Sequence, residues 1–526
     1  MGCMKTSVEG LGLCLLAVSG AVYAASPDGS CAARRAFEER AIAADARPPE
    51  LRMEGIGRYS TNTLSFALNN GLAMTRGGRI WASWISGGDG PGSFTAASWS
   101  DDGGSTWTDV KLVIDGHDGG PDERTNIIGT FWLDPDGALR CYTDQSLLHF
   151  DGRAGVWESV CRNPDDERPV WSPARRICDG HVISKPIVLK NGDWAMSAYL
   201  NDTWKGSGSV RGAFSNLDPQ RGATCIVSSD RGRTWEKRGH VAFPKESRRE
   251  GPVADWYETQ LVESADGRTL VTYARVVDVD SGCLMASEST DGGRIWSAAH
   301  LIPGMDNTNA RFQVMRLKSG RLLFVKHGAP DAGARAWRGR ERLTAYLSDD
   351  DGRTWRGGLV LDASYGSYPD AFQAPDGTIY VSHDHGRYNE AEIWVHRFTE
   401  EDVLAGRPVS PKCRLGTVAM RAMGTEYNRG GTAAGGFSFV GDGVATPRGL
   451  MAWNDVIALR LYNRPEQKHM PAAAVKAKVR RRTADHVLLD CFEPVSQTYV
   501  PVELRDRKST RLNSSHTTVS RMPSSA

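Results

Sequence analysis

The sequence predicts an all-β protein folded as a six-bladed β-propeller, and three observations carry that expectation. An octad, Ser-x-Asp-x-Gly-x-Thr-Trp, occurs four times, at Ser100–Trp107, Ser228–Trp235, Ser289–Trp296 (Ile295 replacing Thr) and Ser348–Trp355. A short turn ending in glycine, followed by an alternating or apolar strand, occurs six times, at Gly78, Gly137, Gly192, Gly267, Gly320 and Gly377. The intervals between these glycines are 59, 55, 75, 53 and 57 residues, which suits four short strands and their loops per unit.

Each octad reads as a tight turn. The Asp carboxylate accepts bonds from backbone N–H groups, Gly supplies a backbone shape that other residues resist, and Trp pins the turn to a sheet. Asp102, Asp230, Asp291 and Asp350 are therefore expected to be turn residues, neither catalytic acids nor metal ligands. A damaged fifth copy is read at Asp151–Trp157.

Along the chain, Lys5, the apolar run Leu11–Val22 and the small residues ending at Ala24 predict a signal peptide over 1–24, and hence a secreted or periplasmic protein. The run is too short for an ordinary membrane span. Residues 25–54 form an N-terminal segment with a short helix over Cys31–Ala46 and a break at Pro48-Pro49. The propeller is expected over 55–405. Its longest unit carries a rim insertion at Asn201–Gln220. Phe398–Leu404 reads as a capping helix begun by Thr399. Residues 406–504, with the basic run Lys476–Arg482, have no assigned role. The tail 505–526 lacks apolar periodicity, resembles translated sequencing-adapter read-through, and is set apart from the fold.

Lys and Arg total 64 against 63 Asp and Glu, a net charge of +1, which offers nothing to a nucleic acid or a polybasic membrane surface. Eight cysteines follow the signal segment; some could pair after export, and no CxxC or Cys/His spacing marks a metal site. No metal or organic cofactor is implied.

In a propeller, the residues just ahead of each glycine turn's inner strand converge on one mouth. Here they are Asn62-Thr63-Leu64, Arg124-Thr125-Asn126, Ser184-Lys185-Pro186, Glu258-Thr259-Gln260, Ala310-Arg311-Phe312 and Tyr368-Pro369-Asp370. Three cations, two carboxylates, a phenol and amides gathered together suit a polar, anionic ligand.

The octad resembles the Asp-box of bacterial sialidases and related BNR-repeat proteins, and the resemblance covers roughly residues 55–400. Glu258–Arg275 is similar to the family segment in which a Glu opens the inner strand and an Arg closes the next. Gly366–Ala371 is similar to the segment bearing the family's tyrosine nucleophile, and Asp89, in Gly88-Asp89-Gly90-Pro91-Gly92, falls where the family has its acid/base Asp. The resemblance implies an exo-acting glycosidase. Tyr368 would attack the anomeric carbon while Glu258 removes its proton, and Asp89 would protonate the leaving oxygen and then activate water. Arg275 and Arg340 would hold the carboxylate of a terminal acidic sugar, sialic acid foremost. One departure stands out. The family's first blade begins with Arg-Ile-Pro, where this chain is read as having Asn62-Thr63-Leu64; Arg58 or Arg124 would have to supply the missing cation. That departure keeps two alternatives open: a propeller glycosidase for another terminal sugar, and a non-catalytic glycan-binding propeller.

Overall fold

The computed structural model describes residues 31–423 except 65, 118–121, 148, 201–209, 211, 243–255, 277–283, 303–306, 309, 329–339, 341 and 388–389, together with the backbone of short strands between 438 and 521. The expected signal segment, most of the region beyond 423 and the first part of the rim insertion lie outside the described residues. Two compact units divide the chain, one of them spanning Tyr23–Tyr427.

Six antiparallel sheets follow one another in chain order, each a blade. Blade one contains Leu68–Met74, Ile80–Ser86, Phe94–Ser100 and Leu112–Ile114, with Leu51–Arg52 added outside the last. The inner strand of blade two is in two pieces, Arg124–Asn126 and Thr130–Leu133, both paired with Leu139–Leu147, and Gly155–Cys161 and Arg175–Asp179 complete it. Blade three is Ile187–Val188, Trp194–Leu200, Gly222–Ser228 and Glu236–Ala242, and blade four is Trp256–Glu263, Leu270–Val276, Leu284–Ser289 and His300–Leu301. Gln313–Arg316, Leu322–His327, Leu343–Ser348 and Arg356–Asp362 form blade five; Gly366–Gln373, Ile379–His385, Glu392–Phe398 and Arg414–Arg421 form blade six.

All six expected glycines sit between the first and second strands of their blades, with φ between 77° and 92°, where a Cβ would be strained. Second strands such as Ile80–Ser86 and Trp194–Leu200 are buried along their whole length. Neighbouring blades cover both of their faces, so they read as apolar runs and lack the alternation of a one-sided sheet.

The four octads follow the third strands of blades one, three, four and five. In each, the serine hydroxyl donates to the Asp carboxylate at 2.8 Å. The backbone N–H four residues after the Asp donates to it as well, at 2.8 to 2.9 Å. Bonds of this kind, the Thr354 hydroxyl first among them, hold Asp350 down at about 2.

Three expectations need correction. The propeller is wider than 55–405, because Leu51–Arg52 pairs with Val113 and Ile114, and Arg414–Arg421 is blade six's outer strand. The latter is half-exposed and broken by Gly416, so it lacks the apolar pattern that marks the others. The helix Glu400–Ala405, with a Thr399–Asp402 capping box, lies within blade six in the position the octad takes elsewhere. Asp151 is no fifth octad: it closes the turn between the second and third strands of blade two, accepting from the N–H groups of Leu147, Arg153 and Ala154. The sequence left cysteine pairing open; among the described residues Cys31, Cys141, Cys161, Cys178, Cys225 and Cys413 are free thiols.

The N-terminal helix, Cys31–Asp45, forms as expected and buries Phe37, Ala41 and Ala44 against Leu147, Leu200 and Phe214 of blades two and three. The described part of the rim insertion is a 3-10 helix, Ser215–Gln220. In the other unit, short strands form two sheets, Ser438–Ala452 and Ala477–Arg521, and the second includes Thr517–Arg521 from the segment that the sequence reading set apart.

Among the described residues no strand is shared between blades six and one; Leu72 and Ala82 share an apolar cluster with Ile393 and Val395, and polar side chains join the two blades at the axis. Asn69 Nδ2 donates to the Tyr368 carbonyl at 2.8 Å, and the Leu72 N–H donates to Asp370 Oδ2 at 2.6 Å. Asp370 also receives Arg311 Nη2 at 3.2 Å and the Lys185 ammonium, while Arg311 donates onward to the carbonyls of Asn70 and Ile183 at 2.8 and 2.7 Å. One buried carboxylate thus ties together blades one, three, five and six.

Removing it would strand two buried cations. Asp370→Ala is expected to lower unfolding stability by about 3 to 5 kcal/mol, measured by urea denaturation. The octads give a second expectation, on pH. The folded value of Asp350, about 2, lies below the ordinary carboxylate value. Its stabilisation is therefore complete above roughly pH 4 and lost as pH falls toward the folded value, so Asp350→Asn should flatten the acid dependence of stability across that window.

Candidate functional site

Two of the six inner strands carry a non-glycine residue in the left-handed region near the mouth. Glu258 has φ +52° and Tyr368 has φ +58°. In both blades the pairing register breaks at that residue, between Tyr257 and Gln260 in blade four and between Ser367 and Asp370 in blade six. A bulge re-aims the side chain that strict alternation would direct elsewhere, at a cost of order 1 kcal/mol or more for the strained backbone.

The two side chains meet at Arg275, in the second strand of blade four. Its Nη1 donates to Glu258 Oε1 at 2.8 Å, to Oε2 at 2.9 Å and to the Tyr368 phenol oxygen at 3.0 Å. Arg340 lies with its guanidinium carbon 5.5 Å from the Tyr368 ring centroid, and Arg387 lies 4.5 Å from it. Both reach the Ser367 hydroxyl, and Arg387 is braced by Asp384 at 2.9 Å.

Burial, then the Glu258 carboxylate, push the Tyr368 phenol up to about 12, although three arginines pull the other way. At neutral pH it is a neutral hydroxyl beside a carboxylate. Burial alone would depress the Arg275 guanidinium, but Glu258 and Tyr368 more than offset this and raise it, so it stays charged. Tyr368 also packs against a buried apolar cluster that includes Phe66, Leu68, Ile85, Ile128 and Ile183. A neutral phenol, an adjacent carboxylate and three cations suit an anionic ligand.

Tyr368, Glu258, Arg275 and Arg340 are thus brought together, as the sequence reading expects. Four other expected binding residues are not. Arg311 is fully buried and, like Lys185, is committed to Asp370. Arg124 donates to the Arg47 carbonyl at 3.1 Å. Asn62 sits exposed in a turn on the flank of blade one, and the inner strand begins only at Leu68. Arg58 is no substitute, being mostly exposed and turned to Tyr59 and Asp115. A further guanidinium beside Tyr368 belongs to Arg387, in the connection after blade six's second strand. Its only sequence signal is Asp384-His-Gly-Arg387, a short charged turn with no periodicity to flag it. Asp89 occupies a glycine loop at the same mouth, its side chain 43% exposed, and its Oδ1 is 3.8 Å from His149 Nε2.

Residues 78–381 match the BNR repeat-like domain model. The chain belongs to the BNR repeat-like family. No curated protein sequence matches it. Among solved structures, it is similar to the intramolecular trans-sialidase of Ruminococcus gnavus, at 15% identity over 70% of this chain and 99% of that one, with a TM-score of 0.47. The leech intramolecular trans-sialidase gives 14% identity over 68% and 71%, TM-score 0.48. The α-L-arabinofuranosidase of Fusarium graminearum gives 10% over 66% and 98%, TM-score 0.44. What those enzymes act on is a property of theirs. In this BNR-repeat chain, no helix among the described residues is long and apolar enough to cross a membrane.

Arg387 and Arg124 separate the two placements of the third cation. Arg387→Ala is expected to weaken binding of a small carboxylated sugar by about tenfold or more, the loss of one charged hydrogen-bonding group. Arg124→Ala should leave it unchanged; isothermal titration calorimetry reads both.

Proposed function

We propose that this protein is an exo-acting retaining glycosidase that removes a terminal acidic sugar, sialic acid foremost, from glycans outside the cytoplasm. One observation carries the reading. A tyrosine and a glutamate, each on a strained bulge, are joined through one arginine and flanked by two more.

The chemistry follows from charge. A sugar with a carboxylate on its anomeric carbon repels a carboxylate nucleophile, whereas a neutral phenol meets no such barrier. As the Tyr368 oxygen bonds to the anomeric carbon, its proton passes to Glu258 and the bond to the leaving oxygen breaks. That oxygen takes a proton from Asp89. In the second half, Asp89 removes a proton from water, the water oxygen bonds to the anomeric carbon, and the tyrosyl bond breaks with return of the proton from Glu258. Two inversions give retention. The guanidinium groups of Arg275, Arg340 and Arg387 receive the sugar carboxylate, which favours an acidic sugar despite the absence of an arginine at the start of blade one.

A panel of aryl glycosides, with the sialoside first, tests this against Tyr368→Phe. The wild type should release the aryl group from the sialoside, and the variant should lose roughly 1,000-fold or more in kcat while remaining folded. Cleavage of a different sugar with the same tyrosine dependence would move the substrate and keep the mechanism. Glycan binding that survives in Tyr368→Phe, with no cleavage by either protein, would support a binding propeller.

A further inference from the structure

The loop that carries Asp89, residues 87–93, is closed on itself and tied to the fold by different groups. Inside it, the Ser93 hydroxyl lies 2.6 Å from the carbonyl oxygens of Gly88 and Gly90 and accepts the Gly90 N–H at 3.0 Å. Outward, the Pro91 carbonyl oxygen faces two side chains at the corner between blades one and two: His117 Nε2 at 2.7 Å and the Thr125 hydroxyl at 3.1 Å. Gly116 and Arg124 pair across that corner so closely that a Cβ on Gly116 would lie 2.5 Å from the Arg124 carbonyl oxygen. Both donors to Pro91 therefore stand on one anchored unit.

The number of protons on His117 decides how firmly the loop is held. Its Nδ1 is 2.5 Å from Asp115 Oδ1 while its Nε2 meets the Pro91 oxygen. An ionised carboxylate and a carbonyl can only accept, and a neutral imidazole has one N–H to offer the two of them, whereas an imidazolium serves both. Asp115 is ionised. Though 6% exposed, it also accepts from the Tyr59 hydroxyl at 2.5 Å and from the His117 backbone N–H at 3.0 Å. Burial alone would raise its carboxyl, but the bonds from His117 and Tyr59 outweigh burial and lower it.

We propose that His117, as an imidazolium, is the positioning residue of the Asp89 loop: Nδ1–H donates to Asp115, Nε2–H donates to the Pro91 carbonyl, and loss of one proton loosens the loop from the corner. The consequence for catalysis rests on the acid/base role given to Asp89, two residues before Pro91; the latch itself does not. Once neutral, the ring keeps its proton on Nδ1 against the charged acceptor, and Nε2 turns a bare lone pair on the Pro91 oxygen. The two repel, and the hold falls to the neutral bond from Thr125. Burial alone would lower His117, but Asp115, the Pro91 carbonyl and Glu123 more than offset this and raise it. The latch is therefore complete below the ordinary histidine value of about 6.5 and is lost as pH rises through the raised folded value. The charged groups around the ring are Asp115, Glu123 at the entry to blade two, and Arg58, which reaches it through Asp115 at 3.5 Å. Asp89 lies along the loop, and Arg124 turns its guanidinium to the Arg47 carbonyl.

The first arm of the test needs no substrate. Hydrogen exchange is read by mass spectrometry over residues 87–93 and corrected for the intrinsic rate. In the wild type it should be about tenfold faster at about pH 9 than at about pH 6, with a midpoint matching the His117 ring titration followed by nitrogen-15 NMR. In His117→Phe, which has no donor, corrected exchange should be fast at both. Equal protection of variant and wild type at about pH 6, or a wild type without the pH dependence, overturns the proposal. Should the variant not fold, agreement of the two wild-type midpoints decides, and a mismatch overturns it. The second arm is kinetic. His117→Phe should lose about tenfold in kcat/KM on alkyl glycosides, which need the acid, and little on nitrophenyl glycosides, which do not; equal loss on both indicates a merely structural role and overturns it. If the wild type cleaves no glycoside, the glycosidase reading fails, and hydrogen exchange alone decides whether His117 latches the loop.

Discussion

The ring closes on the Asp370 carboxylate, and the geometry of the mouth depends on it. Among the described residues blades six and one share no strand, so side chains join them: an apolar cluster between the blades and, at the axis, Asp370, which takes the Leu72 N–H from blade one, the Lys185 ammonium from blade three and the Arg311 guanidinium from blade five. Two cations face one carboxylate, and the carbonyls of Asn70, Ile183 and Ala371 accept further bonds from them, while Arg311 Nε has no partner among the described residues. The network fixes blade positions that sheet pairing leaves open.

Asp370 lies two residues after Tyr368, on the same bulged strand. The group that closes the ring therefore also fixes the height and rotation of the candidate nucleophile. Asn69 adds a second hold from blade one by donating to the Tyr368 carbonyl. Strain in a left-handed tyrosine persists because its surroundings over-determine it. Glu258 is handled likewise: the bulge sets its direction, and the double contact with Arg275 fixes its carboxylate. What converges at Tyr368 is a set of side chains with charges already opposed, so the proposed reaction would need little reorganisation.

Cations divide into two tiers at the axis. Arg275, Arg340 and Arg387 surround the phenol, while Arg311 and Lys185 are spent below it on Asp370. From residue types alone the tiers look alike, since each is a cation near the start of an inner strand or in the connection beside it. The difference is depth along the strand, which a bulge or a delayed strand start shifts by one or several residues. That is why Asn62 reads as a mouth residue although the strand begins six residues later, at Leu68, and why Arg387, in an aperiodic turn, escapes notice.

By itself the sequence determined the repeat. Glycines forced to positive φ, aspartates satisfied within a single turn and tryptophans beside them are local requirements, and local chemistry is legible in a linear string; so are Tyr368, Glu258 and Arg275, which lie in motif-like segments. Only the tertiary structure decided where the propeller ends, since Arg414–Arg421 is half-exposed and has no pattern of its own. It alone decided which cations stand beside Tyr368 and which hold the ring. Those outcomes depend on contacts between blades far apart in the chain, where the partner is chosen by the closure of the ring and leaves no mark on the spacing of residues.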